Sequence, residues 1–334
     1  MKAIRIDQHG GPEVLQVVDL PEPTAGPGEV VVEVTHVGLN HLDLWVRRGV
    51  EGHHFPLPLI PGIDVVGRRT DTGARVALHP GFGCMACPAC LGGRHDLCRR
   101  YIIRGERGDG GMRQRLAVPE AHLLPLPEGM APEQAAALPL ALLTAWHMLR
   151  TRAGIQPGER VLVQAGASGV GSLAIQVATL CGARVAVSAS TDAKRQRCRA
   201  LGAEAAFAYE DVVDGVRAWT GREGVDVVVD HVGAATWKSS LRALRWGGRY
   251  VTCGATAGHA VPLDLRALFF KQISLLGSTM GGMGELADAW RAVHQGAIHP
   301  VLDRVLPMTR LADAHALLEE RAIIGKIVVS QDLA

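Results

Sequence analysis

The chain has 334 residues, 48% of them hydrophobic, and a formal net charge of +2. A length beyond that at which one hydrophobic core stops growing implies two domains. The small charge, with no basic stripe interleaved with aromatics, leaves nucleic-acid and membrane-surface binding without support.

The N-terminus, Met1 to Ile6, starts like a strand and lacks the apolar core of a signal peptide, and no apolar run reaches membrane-spanning length. A cytoplasmic protein with no membrane partner is expected. Seven cysteines, an odd number without an export signal, argue against a disulfide framework. Five lysines against 30 arginines, and a single asparagine, fit a heat-adapted source, although a GC-rich genome gives the same bias.

Residues 1 to about 125 read as short strands punctuated by proline and glycine: Lys2 to Ile6, Leu15 to Asp19, Glu29 to Val37, Ile63 to Arg68, Arg75 to Leu78 and Arg113 to Val118. This pattern predicts a β-barrel-like domain. One insertion, Gly83 to Arg100, interrupts it with Cys84, Cys87 and Cys90 at three-residue spacing, followed by Cys98. Three thiolates from one tight loop and a fourth shortly after can close a tetrahedron around Zn²⁺ with no open position, which makes the site structural. A redox switch or coincidental clustering are the alternatives.

Pro125 to Pro132 marks a boundary, and Glu133 to Ala153 reads as helix. Then comes a strand-turn-helix unit. Val161 to Gln164 is a β-branched apolar run, Gly166, Gly169 and Gly171 make a turn around Ser168 and Val170, and Ala174, Val177, Ala178 and Cys181 carry a helical period. Unpaired N–H groups at such a helix start favour a pyrophosphate, and small residues let it approach. The dinucleotide fingerprint has glycine where Ser168 stands, so an ordinary tight βα connection is the alternative. Strand starts recur near Val161, Arg184, Ala205, Asp226, Arg249 and Ile273, the spacing of a strand plus a crossover helix, which predicts a doubly wound parallel sheet. The strands His299 to Leu306 and Gly325 to Ser330 have no partner left in that sheet and should return to the first domain. The expected domains are 1–126 with a lobe at 83–100, 127–294, and the return 295–334.

Taken together, Gly38-Leu39-Asn40-His41-Leu42-Asp43, Pro61 to Gly67, the four cysteines, Ala135 to Pro139, the turn Gly166 to Gly171 and the ending Gly325 to Val328 resemble the medium-chain dehydrogenase/reductase superfamily, that is, zinc alcohol dehydrogenases and quinone oxidoreductases. The resemblance spans nearly the whole chain. It implies an α/β fold: a GroES-like β-barrel catalytic domain plus a Rossmann domain, assembled as a homodimer or homotetramer. In zinc alcohol dehydrogenases the catalytic metal is held by segments corresponding to Asn40, Ile63 and Leu140, and the proton-relay groups would fall at Leu42 and Trp45. Neither isoleucine nor leucine has a donor atom, so the catalytic zinc site reads as dismantled while one structural Zn²⁺ on Cys84, Cys87, Cys90 and Cys98 is retained.

What remains resembles the quinone oxidoreductase pattern. Asn40 can donate to a substrate carbonyl or to the nicotinamide carboxamide, or can simply satisfy the end of a strand. His41 is the nearest group able to give a proton near neutral pH, with His36, His53, His54 and Tyr101 as weaker candidates. Asp43, placed with Asn40 and His41 in the catalytic set, and Asp64 read chiefly as ion-pair partners of Lys326 or Arg47. By resemblance Thr144 and Val170 pack the nicotinamide, and Lys326 is grouped with the cofactor contacts. Leu42, Trp45, Phe55, Leu140 and the stretch Met280 to Met283 would line an apolar pocket.

The acidic residue of NAD-specific members is replaced by Ala189. Ser190, Lys194 and Arg195 can therefore hold a 2′-phosphate, which favours NADP(H) with NAD(H) possible, unless the two cations only solvate a helix turn. The expected function is hydride transfer between NADP(H) and an activated carbonyl, enone or quinone without catalytic zinc. The partner is a small apolar carbonyl or quinone substrate. The alternatives are a zinc-containing NAD(P)-dependent alcohol dehydrogenase using Asn40, His41 and Asp64 as ligands, and a non-catalytic NADPH-binding protein.

Overall fold

A computed structural model of the chain describes residues 1–333 and divides them into two compact units. The first comprises 1–140, 282–294 and the described residues from 300 onward, and the second 141–281 and 295–299.

The first unit opens with a hairpin of β1 (Lys2–Arg5) and β2 (Gln16–Asp19). β3 (Glu29–Gly38) is the longest strand of its main sheet and leads through Leu39 and Asn40 into α1 (His41–Arg48). β4 (Asp64–Arg69) and β5 (Arg75–Leu78) continue the sheet antiparallel. The cysteine lobe is bracketed by a small ladder of β6 (Gly81–Phe82) and β7 (Ile102–Ile103), with the single turn α2 (Pro88–Leu91) inside it. β8 (Arg115–Pro119) returns to β3, and β9 (Leu123–Pro125) pairs with β5. Alternation along β3 buries Val32 and Val34, which join Leu78, Leu116 and Val118 in one apolar core.

α3 (Pro132–Ala136) and α4 (Pro139–Trp146), the latter continued by a π-helical turn over His147–Arg152, replace the single helix expected from Glu133 to Ala153, because Pro139 has no N–H to continue the first of them. α3 packs on β3 so closely that a Cβ at Gly38 would lie 1.9 Å from the Ala136 carbonyl oxygen. This contact explains why the first unit runs to Leu140 rather than stopping at 126: the alanine-rich helix seals the β sheet.

The second unit holds six strands: β10 (Arg160–Val163), β11 (Arg184–Ser188), β12 (Ala205–Phe207), β13 (Val225–Asp230), β14 (Leu244–Thr252) and β15 (Ser274–Gly277). All pair in parallel in the order β12-β11-β10-β13-β14-β15, the doubly wound arrangement that the strand spacing implies. Crossovers run through α5 (Gly169–Leu180), α6 (Asp192–Ala200), α7 (Val212–Trp219), α8 (Ala234–Ala243) and α9 (Leu265–Phe270). β10 and β13 are almost wholly buried, as strands covered on both faces must be.

α10 (Met283–His294) belongs to the first unit, where Trp290 Nε1 donates to the Pro125 carbonyl at 2.8 Å, and the expected limit at 294 moves back to 282 for that reason. β16 (Leu302–Pro307), α11 (Leu311–Glu319) and β17 (Lys326–Ser330) complete the chain. β17 pairs antiparallel with β3 and parallel with β16, so the last strands do return to the first sheet. Among the described residues no helix is long and apolar enough to cross a membrane.

Candidate active site and cofactor loop

The turn after β10 is built for close approach. Gly169 and Val170 open α5, and the Ser168 hydroxyl caps it by accepting from Gly171 N at 2.9 Å. A Cβ on Gly171 would lie 2.4 Å from the Ala165 carbonyl oxygen, so only glycine closes this turn. Gly166 N donates to the Ser188 carbonyl at 2.9 Å, which ties the turn to β11. His231 Nε2 stands 2.9 Å from Ser168 Oγ.

Beneath the turn runs a buried polar chain that sequence reading did not find. Ser188 Oγ donates to Gln164 Oε1 at 2.5 Å, Gln164 Nε2 to Ser240 Oγ at 2.9 Å, and Ser240 Oγ to Asp230 Oδ2 at 2.8 Å. Asp230 also accepts from Thr236 Oγ1, Val232 N and Gly233 N. These bonds join the carboxyl ends of β10, β11 and β13, where ligands bind in open α/β sheets. The available signal was a polar residue at the end of each apolar run.

At the end of β11, Ala189 is buried and Ser190 exposed. Arg195 Nη1 donates to the Ala189 carbonyl at 2.9 Å and Nη2 to Asp192 Oδ1 at 2.6 Å, which holds the guanidinium at the strand end. Lys194 is half-buried on the same turn. Thr144 is buried on α4.

In the first unit, Asn40, Asp43, Asp64 and Lys326 converge. Lys326 Nζ donates to Asn40 Oδ1 at 2.5 Å and to Asp64 Oδ2 at 2.9 Å, and Asn40 Nδ2 donates to Asp64 Oδ2 at 3.0 Å. Asp64 Oδ1 accepts from Leu140 N at 2.7 Å. Ammonium and carboxylate together fix the orientation of the Asn40 amide. Asn40 is thus more than the end of a strand: it caps α1, and Asp43 Oδ2 reaches back to its N–H at 2.7 Å. Asp43 Oδ1 also accepts from Gly62 N at 3.2 Å. Burial pushes the Asp43 carboxyl up to about 7, against the lowering by the Asn40 N–H and by Lys326. Lys326, grouped with the cofactor contacts in the sequence reading, sits against Asn40 and Asp64. Arg47 is not a partner of Asp43 or Asp64; it pairs with Glu319 and His315. His41 is the first residue of α1 and half-buried. Phe55, expected in the pocket lining, is instead core, packed with Ile6, Val46 and Leu59 and flanked by Leu42 and Trp45.

The four sulfurs of Cys84, Cys87, Cys90 and Cys98 lie within 4.8 Å of one another. A tetrahedral zinc with bonds of about 2.3 Å separates its sulfurs by roughly 3.8 Å, so the set fits that ion after small adjustment. Cys98 Sγ accepts from Cys84 N at 3.4 Å and Arg100 N at 3.3 Å, bonds that favour thiolate. The Ala86 N–H, with further help from the Cys87 N–H and Arg100, brings the Cys84 thiol down to about 5, whereas burial pushes Cys90 up to about 11. Among the described residues this is the one cluster of three or more side chains of metal-binding type.

Two family models match the chain: the alcohol dehydrogenase GroES-like domain over residues 26–128 and the zinc-binding dehydrogenase over 169–295. A probable quinone oxidoreductase of Schizosaccharomyces pombe is 30% identical, over 99% of this chain and 98% of its own. A solved NAD-dependent alcohol dehydrogenase superposes with a TM-score of 0.95 at 42% identity, over 99% of both chains. A cobalt- and zinc-bound thermostable alcohol dehydrogenase from Pyrobaculum aerophilum gives 0.87 at 32% identity, again over 99% of both. With its GroES-like sheet, its doubly wound parallel sheet and these matches along nearly its full length, the chain belongs to the medium-chain dehydrogenase/reductase superfamily and is an NAD(P)-dependent oxidoreductase.

Proposed function

We propose that the chain is an NADP(H)-dependent reductase of activated carbonyls, enones or quinones that works without a catalytic metal. The observation that carries this reading is the donor set around Asp64. Asn40 and Leu140, two of the three positions matched to the catalytic ligands of zinc relatives, are bonded to one carboxylate, and the third, Ile63, precedes it. None offers a thiolate or imidazole, and the carboxylate is already neutralised by Lys326. Without a Lewis acid an unactivated alcohol is a poor substrate, whereas an enone or quinone accepts hydride with less help.

Asn40 is the donor we assign to the substrate oxygen. One Nδ2–H goes to Asp64, and Lys326 on Oδ1 polarises the amide, which strengthens the second N–H toward developing negative charge. His41 and Asp43 stay in this reading as the neighbouring titratable groups, Asp43 acting through the Asn40 backbone it holds. The diphosphate is assigned to the turn at Gly166, Ser168, Gly169, Val170 and Gly171, and Thr144 to the nicotinamide. Zinc on the four cysteines would brace the lobe and take no part in hydride transfer.

NADP(H) preference rests on Arg195, anchored at the end of β11 where Ala189 stands in place of an acidic residue, with Asp192 held on Nη2 of the same guanidinium. kcat/KM should favour NADPH over NADH, and Arg195→Ala should reduce that preference by about ten-fold or more, the worth of one charged hydrogen bond. Equal loss with both cofactors would remove Arg195 from the assignment. A second reading, NAD-dependent alcohol oxidation, is favoured by the 42% identical dehydrogenase. Preference for NAD⁺ with primary alcohols over NADPH with quinones would select it, and tight NADPH binding with no turnover of either would leave a binding protein.

Self-association is assigned to the edge of the parallel sheet. β15 ends that sheet, and α9 buries none of its residues, with Phe269 64% and Phe270 65% exposed near Trp246 at 60%. A contiguous aromatic patch of this kind marks an interface, here with a second copy. Sizing by light scattering should give a dimer or tetramer, and Phe269→Glu with Phe270→Glu should lower the mass. An unchanged mass would move the interface elsewhere.

A further inference from the structure

One buried cation in the first unit has no role in the sites above. Arg104 follows β7, is 6% exposed, and donates its backbone N–H to the Pro80 carbonyl at 2.9 Å. Its guanidinium lies 5.5 Å from the centroid of the Phe82 ring, whose own centroid is 4.4 Å from that of His122. Nε and Nη2 are both closed off from the surface and have no hydrogen-bond partner among the described residues. Among the described residues no carboxylate is paired with it. Burial, and then the Arg113 guanidinium, hold Arg104 down at about 10, which still leaves it protonated near neutral pH.

A second orphan donor belongs to the same cluster. His79, 2% exposed, accepts from Gly81 N on Nδ1 at 3.3 Å, which places its ring hydrogen on Nε2. That Nε2 is also buried without a partner, as is His122 Nδ1. His79 N donates to the His122 carbonyl at 2.8 Å, so the two residues are neighbours across the sheet. A buried cation whose donors meet no acceptor is costly. The two open nitrogens of Arg104 are moreover the side-on pair of a guanidinium, whose parallel N–H bonds match the two oxygens of a carboxylate.

We infer that Arg104, with the His79 Nε2–H in the same cluster, is a binding point for the carboxylate group of a small organic acid. The carboxylate has two possible sources, part of the reduced substrate or a separate acid. The cluster adjoins the candidate site, since a Cβ at Gly105 would lie 2.8 Å from Gly62 N, the N–H that donates to Asp43. The first source rests on the reductase reading and the second does not.

The test is a titration of the full-length protein, labelled with ¹⁵N-arginine, with sodium acetate at ionic strength held by sodium chloride. One arginine Nε–H resonance, missing in Arg104→Gln, is expected to shift saturably, and acetate should raise the thermal midpoint of wild type but not of Arg104→Gln. Arg104→Lys keeps the charge without the fork and should weaken acetate binding by about ten-fold. Absence of any saturable arginine Nε–H shift in wild type would overturn the inference whether or not the variants fold, as would an acetate response that both variants retain. Steady-state reduction of 4-carboxybenzaldehyde against benzaldehyde separates the sources. Preference for the acid by about ten-fold, with acetate competitive against it, assigns the carboxylate to the substrate. Saturable acetate binding that is not competitive assigns it to a separate acid. If neither aldehyde is reduced, the reductase reading loses support while the acetate titration still decides this one.

Discussion

Lys326→Met is expected to destabilise the protein by about 3–5 kcal/mol, the cost of stripping one partner from a buried ion pair. The Lys326 and Asp64 side chains are 6% and 0% exposed and 2.9 Å apart, so solvent cannot take over the missing charge. Asp64 would keep only the Asn40 amide and the Leu140 N–H. Urea unfolding should report the loss, and the double variant Lys326→Met with Asp64→Asn should recover a large part of it, because the unpaired carboxylate is then gone. A loss below about 1 kcal/mol, typical of an exposed pair, would refute the burial argument.

The same substitution has a pH signature. Asp43 is held at about 7 mainly by burial, and Lys326 is among the groups that lower it. A carboxyl whose folded value lies above its unfolded one contributes stability that is complete below about pH 4 and lost as pH rises through the folded value. Removing Lys326 raises that value further, so the variant's deficit should widen as pH rises above about 7, where wild-type Asp43 has begun to ionise and that of the variant has not. In the reductase reading kcat should fall more than KM rises, since Asn40 loses the ammonium that orients and polarises its amide.

How much of this was legible follows from sequence distance. The Gly166 to Gly171 turn and the four cysteines declare themselves within short stretches, because each does its work with local spacing. The six parallel strands show through their regular recurrence, and only their partners in space had to be supplied by the rule for doubly wound sheets. The link from Lys326 to Asn40 spans 286 residues, and that from Arg47 to Glu319 spans 272, so pairing Arg47 with Asp43 or Asp64 was a guess between equally charged candidates. The boundary near Leu140 was hidden because helical periodicity says which face is buried and nothing about what buries it. Arg104 looks like any surface arginine in the sequence, since its lack of a counter-charge is a property of the packing.

The other large effect is expected from metal removal. Metal analysis should return one zinc per chain, and chelation, or Cys98→Ser, should unfold the lobe 83–100, read as lost hydrogen-exchange protection in that segment and a lower thermal midpoint. The lobe has little else to hold it: Leu91 and Leu97 are 76% and 60% exposed, and its regular structure is one turn of α-helix and one 3-10 turn (His95–Leu97) within a two-residue ladder. Coordination by four thiolates supplies on the order of 10 kcal/mol at neutral pH, far more than a few buried side chains in so short a segment. Two zinc ions per chain would instead require ligands around Asp64, with Asn40, His41 and Asp64 as the candidates. Asp64 could then no longer be fully neutralised by Lys326, and the alcohol dehydrogenase reading would replace the reductase one. An unchanged lobe after complete metal removal would leave the cysteines without a structural purpose and would favour redox chemistry among sulfurs already within 4.8 Å of one another.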